Sequence, residues 1–431
     1  MTETAHETVP QISADESALH AGTVVMKFGG SSVAGPERLK AVAKRIVAAR
    51  DGGSRVVAVL SAMGDTTDEL VALAHEVSTR PDPRELDMLI SVGERISCAL
   101  AAMAIKDLGH EAISLTGSQA GIVTDTMHTK AKIVEVRAQR IHDALDDGKI
   151  VLVAGFQGVS TGREITTLGR GGSDTTAVAL AGALGADSCE IFTDVAGVYS
   201  ADPRIIANAY KLPIVTYEEM LEMSASGAKV MALRSVEFAR NHGVRLHVRS
   251  TFSDAPGTWI QREDEQLLEK AIISGVTHDT SEAKLTILGV PDRPGVAALT
   301  FRALADAGVN IDMIVQNVSA EGLTDISFTL PKSDLAAAEP ILEAVCKEVG
   351  AAGFSQDSNI AKVSLIGAGM RSHPGVAADM FEALADAGIN LEIISTSSIR
   401  ISCVVRAEDV ENAVRAIHDR FELVVEARAN A

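Results

Sequence analysis

Thr23-Val24-Val25-Met26-Lys27-Phe28-Gly29-Gly30-Ser31-Ser32 is an apolar, β-branched run that ends in a cation, two glycines and two hydroxyls. The run reads as a buried strand. Pro36-Glu37-Arg38-Leu39 then opens a helical period with proline in its first turn. A strand, a glycine pair and a helix start make a cradle for phosphate. Glycine lets backbone N–H groups approach anionic oxygens, and the helix N-terminus adds positive potential. Lys27 brings a compact cation to the same place. The G-x-x-x-x-G-K-[ST] order of a P-loop is absent. On this segment alone, an ordinary glycine-rich strand-to-helix turn reads equally well.

Working outward, short β-branched runs alternate with Ala-rich helical patterns from about residue 23 to 260. Val56–Leu60, Ala112–Leu115, Ile150–Ala154, Ser188–Thr193 and Val244–Val248 read as strands. Ala41–Ala49, Glu69–Val77, Ile90–Leu108, Val134–Asp146 and Thr175–Leu184 read as helices. Such alternation predicts an α/β fold: a three-layer, open, mainly parallel sheet with helices on both faces. Ligands of such sheets lie at the carboxyl ends of the strands.

The 431 residues suffice for roughly two to four domains. Hydrophobic residues make up 46% and aromatics only 3%, so the cores are built from Ala, Val, Leu and Ile. A net charge of -19 argues against nucleic acid or an anionic membrane as partner. The cysteines Cys98, Cys189, Cys346 and Cys403 form no CxxC pair, which fits reduced core thiols of a cytoplasmic protein. Residues 1–22 are acidic, carry no Lys or Arg and read as a disordered tail. No apolar run reaches transmembrane length.

Further polar clusters lie between these elements. Thr166-Thr167-Leu168-Gly169-Arg170-Gly171-Gly172-Ser173-Asp174-Thr175-Thr176 opens a helix. Its glycines and hydroxyls suit anion binding, and Arg170 offers a fork for a carboxylate. Asp174 either caps that helix or orients a cation. Ile191-Phe192-Thr193-Asp194, then Gly197-Val198-Tyr199 and Asp202-Pro203-Arg204, read either as a nucleotide-binding stretch or as a capped β-turn loop. Gly227-Ala228-Lys229 supplies another cation. Ser61-Ala62-Met63-Gly64-Asp65-Thr66-Thr67 closes the second strand with hydroxyls at a helix start. Within Gly93-Glu94-Arg95, Glu94 either pairs with a substrate ammonium or lies on a solvated face. No Ser-His-Asp, Cys-His or HExxH arrangement is visible, so no protein metal site is expected. A carboxylate acceptor explains the missing base: with a pKa of about 4 it is already ionised at neutral pH, and catalysis reduces to positioning and charge neutralisation.

Beyond the charged stretch Gln261-Arg262-Glu263-Asp264-Glu265-Gln266 the chain repeats itself. Phe301-Arg302-Ala303-Leu304-Ala305-Asp306-Ala307-Gly308-Val309-Asn310-Ile311 returns as Phe381-Glu382-Ala383-Leu384-Ala385-Asp386-Ala387-Gly388-Ile389-Asn390-Leu391. Arg293-Pro294-Gly295-Val296 matches His373-Pro374-Gly375-Val376, and Ala283-Lys284 matches Ala361-Lys362. Each copy reads as strand, Pro-Gly turn, helix, Gly-Asn turn, strand.

Taken in order, KFGGSS, SAMGDTT, GER, TTLGRGGSDTTA, FTDVAGVYSADPR and GAKV resemble the motifs of aspartate kinases in the amino-acid kinase family. The resemblance spans Val24 to Val404, and the repeat looks like that family's paired ACT domains. It implies an amino-acid kinase domain over 23–262, followed by two ferredoxin-like (βαββαβ) ACT units over 271–350 and 351–431. One unit is commonly inserted in the other in this family, which would displace that boundary. The implied reaction is transfer of the ATP γ-phosphoryl group, with Mg²⁺, to the side-chain carboxylate of L-aspartate. By match, Lys27, Arg170 and Asp174 are catalytic. Phe28, Gly29, Gly30, Ser31, Ser61, Ser173, Thr193, Asp194, Tyr199, Arg204 and Lys229 join Lys27 around ATP. Thr66, Thr67, Glu94, Gly171 and Gly172 join Arg170 and Ser173 around aspartate. Amino-acid effectors, lysine or threonine, are expected near Asp292, Gly295, Asn310, Ile311, Gln316 and Asn317, and near Gly375, Asn390 and Leu391. Ser398 stands where relatives often have Glu, which puts sensitivity to a cationic effector in doubt. A homo-oligomer paired through ACT domains is also implied, as a dimer or dimer of dimers. Two rivals are a kinase of the same fold acting on another acceptor and a sensor subunit with an idle kinase site.

Overall fold

A computed structural model of the chain describes residues 22–263, 273–317, 322–368, 370, 373 and 375–423. The acidic N-terminal segment up to residue 21 and residues 264–266 of the charged stretch lie outside them. The described chain divides into two units: one runs to Asp194 and includes Val244–Leu246, and the other holds Val195–Gly243 and the chain from His247 onward.

In the first unit, β1 (Thr23–Phe28) leads through a 3₁₀ turn to α1 (Pro36–Asp51), then β2 (Arg55–Leu60) and α2 (Thr66–Val77). Next come α3 (Pro83–Ile90), α4 (Val92–Asp107), β3 (Ala112–Leu115), β4 (Ile122–Thr124), β5 (Ile133–Val136) and α5 (Gln139–Asp146). The unit closes with β6 (Ile150–Ala154), β7 (Gln157–Ser160), β8 (Ile165–Thr167), α6 (Gly172–Leu184) and β9 (Ser188–Thr193). The main sheet runs β9-β1-β2-β6-β3 with every pair parallel. Its strands are nearly continuous apolar runs because both faces are covered. Helix α1 shows how the covering works. Leu39, Val42, Ala43, Ile46 and Val47 recur at helical spacing and are its buried residues. Phe28 and Phe192 stack at 4.7 Å, which ties the ends of β1 and β9 together.

Two points of the sequence reading change here. Val134–Asp146 is not one helix: Ile133–Val136 forms β5, paired antiparallel with β4, and only Gln139–Asp146 is helical. Ile133, Val134 and Val136 favour extended backbone, and pairing with β4 decides the strand. That hairpin belongs to a second, small sheet, β5-β4-β7-β8, which the sequence reading missed. Pro83–Asp107 also contains an 18-residue window with a mean hydropathy of 1.6, which passes for a membrane span by length and composition only. It does so by joining α3 to α4, and half of that stretch is buried within the protein.

In the second unit, β10 (Ile214–Thr216), α7 (Tyr217–Ala225), α8 (Leu233–His242), β11 (Leu246–Ser250) and β12 (Thr258–Gln261) come first. The Thr216 and Glu219 side chains form a reciprocal capping box that starts α7. The repeat follows. Its first copy is β14 (Glu282–Pro291), α9 (Val296–Asp306), β15 (Ile314–Gln316), β16 (Leu323–Pro331), α10 (Leu335–Val349) and β17 (Gly353–Asp357), preceded by β13 (Gly275–Asp279). The second copy is β18 (Ile360–Ile366), α11 (Val376–Asp386), β19 (Ile393–Thr396), β20 (Arg400–Arg406) and α12 (Val410–Arg420). The first copy's sheet runs β15-β16-β14-β17, the second's β13-β18-β20-β19, and all pairs are antiparallel. The second sheet therefore takes an edge strand from upstream of the first copy.

The matched Pro-Gly turns differ in backbone: Gly295 sits at φ +100°, Gly375 at φ -83°. The matched lysines behave alike, since each crosses to the other copy. Lys284 pairs with Glu392, and Lys362 pairs with Asp312. Both acids follow a Gly-Asn turn by two residues. Lys362 is fully buried and also meets Glu282 at 2.6 Å, and burial is the largest influence raising the pKa of that carboxyl group. Glu392 has a second cation, Arg406, at 3.0 Å. Among the described residues no second cation pairs with Glu282 or Asp312. Lys362→Ala should therefore cost about 3–5 kcal/mol by leaving buried charge uncompensated. Lys284→Ala should cost about 1 kcal/mol or less. Urea unfolding followed at Trp259, the chain's single tryptophan and part of this unit, reads both; equal losses would contradict the asymmetry.

Candidate active site

In the first unit the carboxyl ends of β1, β2, β6 and β9 lie along one edge, because all four strands are parallel neighbours. β1, β2 and β9 run straight into the polar stretches at Gly29, Ser61 and Asp194, and β6 runs into Gly155. Phe28 O accepts from Ser61 N at 3.1 Å, Leu60 O accepts from Gly155 N at 3.0 Å, and Gly30 O accepts from Gly64 N at 3.1 Å. A Cβ on Gly30 would lie 3.0 Å from both Ala62 O and Gly64 O, so the KFGGSS and SAMGDTT loops approach backbone to backbone. The close approach that the glycines promise is thus spent partly on the neighbouring loop.

Lys27 Nζ lies 2.6 Å from Asp174 Oδ1, and each side chain is 12% exposed. The helix carrying Asp174, α6, is capped by Gly171 at φ +73° with no side-chain hydrogen bond. Asp174 is therefore not a cap but the counter-charge of Lys27. A Cβ on Gly29 would come within 3.5 Å of Lys27 Nζ, so glycine leaves the ammonium room. Ser173 is buried beside Gly155, where a Cβ would come within 2.7 Å of its Oγ. Arg170 is exposed on the turn before α6, between Gly169 and Gly171, both at positive φ.

Glu94 does not lie on a solvated face. It is 2% exposed, its Oε1 accepts from Ala62 N at 3.2 Å, and its Oε2 has no partner. Burial pushes this carboxyl up to about 7. Gly93 lets α4 press on the SAMGDTT loop, since a Cβ there would meet Ala62 Cβ at 2.7 Å. Thr66, half-buried, donates to Met63 O at 2.6 Å, and Thr67 is half-buried beside it. Thr193 donates to Asp194 at 3.0 Å.

The first unit thus brings together Lys27, Phe28, Gly29, Gly30, Ser31, Ser61, Thr66, Thr67, Glu94, Arg170, Gly171, Gly172, Ser173, Asp174, Thr193 and Asp194. Tyr199, Arg204 and Lys229 belong to the second unit. Lys229 is exposed there, and Arg204 is engaged bidentately by Asp202, which holds that carboxyl below its ordinary range. The same unit holds Asp292, Asn310, Ile311, Gln316, Asn317, Asn390, Leu391 and Ser398. Asp87 was missed in the sequence. It is fully buried and accepts from Thr129 N, His128 Nδ1 and Thr167 Oγ1. Its one signal is an acid within the apolar run Leu86-Asp87-Met88-Leu89-Ile90.

The family model described as "Amino acid kinase family" matches residues 22–250, and that of the ACT domain matches 285–345 and 363–421. The chain is 57% identical over 404 residues to an aspartokinase of Mycolicibacterium smegmatis, covering 93% of this chain and 96% of that protein. It is 50% identical over 400 residues to an aspartate kinase of Stutzerimonas stutzeri, covering 93% and 97%. Among solved structures it is similar to E. coli aspartokinase III in complex with aspartate and ADP, with a TM-score of 0.79 and 26% identity over 92% of this chain and 99% of that one. With the motifs from Lys27 to Asp194 in the first unit, and with the amino acid kinase and ACT matches covering most of the chain, the chain belongs to the aspartokinases of the amino acid kinase family.

Proposed function

We propose that the edge built by Lys27, Glu94, Arg170 and Asp174 is where the γ-phosphoryl group of ATP passes to the side-chain carboxylate of L-aspartate, giving 4-phospho-L-aspartate. The observation that carries this reading is the Lys27–Asp174 pair, 2.6 Å apart at the carboxyl end of β1. A carboxylate acceptor is ionised at neutral pH and needs no base. The protein's task is to hold two anions together and to neutralise the charge that moves between them. Lys27 supplies that neutralising cation, and Asp174 keeps its ammonium aimed at one point. Gly29, Gly30 and Ser31 line the turn for the phosphates. Arg170, exposed and flanked by flexible glycines, takes the α-carboxylate of aspartate in a planar fork. Glu94, with one oxygen unpartnered, takes the ammonium.

Thr193, Asp194, Tyr199, Arg204 and Lys229 complete the nucleotide site in this reading. Among the described residues no group of three or more His, Cys, Asp or Glu side chains could hold a metal ion. Mg²⁺ carried on the nucleotide would be held through phosphates and at most one or two carboxylates such as Asp174. Bound there, it would supply charge neutralisation between the phosphates. E. coli aspartokinase III has been solved with lysine and aspartate in a T-state. We extend effector binding to the ACT pair here, at Asp292, Gly295, Asn310, Ile311, Gln316 and Asn317 and at Gly375, Asn390 and Leu391. Ser398 lies exposed two residues before Arg400, which pairs with Glu222 of α7 at 3.1 Å. The four free, buried cysteines suit the cytoplasm. Pairing of two copies through their ACT domains belongs to the same proposal.

ATP turnover with L-aspartate, with the acyl phosphate trapped by hydroxylamine, tests the assignment. Wild type should form hydroxamate, and Lys27→Ala should lower kcat by at least about 10³-fold, the scale of losing a principal electrostatic contact. Full activity in Lys27→Ala would reject the site. A second measurement follows from the raised Glu94 carboxyl. Only its charged form binds an ammonium, so KM for aspartate should fall as pH rises through about 7. Glu94→Gln should give a high, flat profile. The sign for stability is opposite. Between its ordinary value of 4.5 and about 7 the folded state keeps a proton the unfolded chain releases. Glu94 therefore loses the chain stability as pH rises across that window. Thermal scans of Glu94→Gln against wild type should show that slope removed.

A further inference from the structure

We infer that Asp87 is a positioning residue for Arg170, a role that rests on Arg170 being the aspartate clamp. Asp87 sits on α3, and its carboxylate is fully buried. Its two oxygens take hydrogen bonds from two separate segments. From the segment between β4 and β5 come Thr129 N, at 3.1 Å from each oxygen, and His128 Nδ1 at 2.6 Å. From the end of β8 comes Thr167 Oγ1, at 2.6 Å. A buried carboxylate is stable only with such a set of donors.

Both segments bear on Arg170. Thr167 lies three residues before it. Ala131 N donates to Thr167 O at 2.9 Å, so the two segments are also joined directly. Thr129 adopts φ +65°, a conformation that a β-branched residue takes only when its surroundings impose it. Asp87 imposes it by holding Thr129 N. In that conformation Thr129 O faces Gly169, where a Cβ would lie 3.1 Å away. Gly169 is itself at φ +76° and its O accepts from Gly172 N at 2.9 Å, closing the turn that displays Arg170. Asp125 fixes the base of the β4–β5 segment, accepting from Met127 N and Lys132 N. One carboxylate thus fixes the wall against which the Arg170 turn is folded, and the strand end from which that turn departs. An exposed arginine between two glycines has no rigidity of its own, so its placement is borrowed from Asp87.

Steady-state kinetics of Asp87→Asn, Thr167→Val, Thr167→Ser, Arg170→Ala and the Thr167→Val/Arg170→Ala pair test this. Asp87→Asn and Thr167→Val should raise KM for aspartate about tenfold, within the range a misplaced binding group costs, with KM for ATP within about twofold of wild type. Thr167→Ser keeps the hydroxyl and should restore the wild-type value. Thr167→Val should add nothing to Arg170→Ala. If Asp87→Asn fails to fold, the Thr167 pair carries the test alone. Parallel rises in both KM values, or an unchanged KM for aspartate in Thr167→Val while Arg170→Ala raises it, would overturn the positioning role. An unchanged KM for aspartate in Arg170→Ala would instead remove the clamp assignment, and this inference with it.

Discussion

A lysine on the central strand of a parallel sheet has to be matched by an anion, and the first unit is built around that match. In register, Lys27 lies between Val59 on β2 and Ile191 on β9. Its side chain is only 12% exposed, so an unpaired charge there would cost on the order of several kcal/mol. Asp174 supplies the partner only if the first turn of α6 sits directly over the end of β1. That placement dictates small residues around it. A Cβ on Gly172 would meet Leu168 Cβ and the Phe156 ring at 2.9 Å, and one on Gly155 would meet Ser173 at 2.7 Å. Gly172, expected from the sequence beside aspartate, is thus also a packing requirement of the ion pair, and so is Gly155.

The parallel sheet was legible because its strands are short apolar runs with few alternatives. Ala112–Leu115, Ile150–Ala154 and Ser188–Thr193 match the observed strands residue for residue. The order of the polar stretches was legible too, since each follows a strand or opens a helix. What escaped was whatever depends on distant residues. Ile133–Val136 becomes a strand because β4 pairs with it, and no local signal shows β4 as a partner. Glu94 looks solvated in a Gly-Glu-Arg triplet. It is buried because Gly93 draws α4 onto a loop some thirty residues earlier. Asp87 collects donors from residues 41 to 80 positions away, which no spacing rule reaches.

The repeat adds a constraint of another kind. Two copies of one unit pack by exchanging equivalent contacts, and the crossed lysines are such an exchange: Lys284 to Glu392, Lys362 to Asp312. Divergence has then loaded one of them. Lys362 is sealed between Glu282 and Asp312 and also reaches Ala225 O at the end of α7, whereas Lys284 and Glu392 keep some solvent and Glu392 also pairs with Arg406. Asp312 lies two residues past Asn310, so the backbone of that turn and the end of α7 meet at one buried ammonium.

Strand β13 makes the corresponding link for the second copy. It is the edge of that copy's sheet, and Val276 N donates to Ser200 O at 2.7 Å. A Cβ on Gly227 would fall 2.0 Å from His278 O, so the Gly227-Ala228-Lys229 turn lies flat on the same strand. Tyr199 and Lys229 therefore stand next to backbone that the second ACT sheet holds in place. A ligand alters catalysis only by favouring one of two arrangements of the catalytic residues. The second copy meets the segment from Tyr199 to Lys229 at β13 and again where Arg400 pairs with Glu222 at 3.1 Å. The first copy meets it at Lys362, which joins Glu282 and Asp312 to Ala225 O.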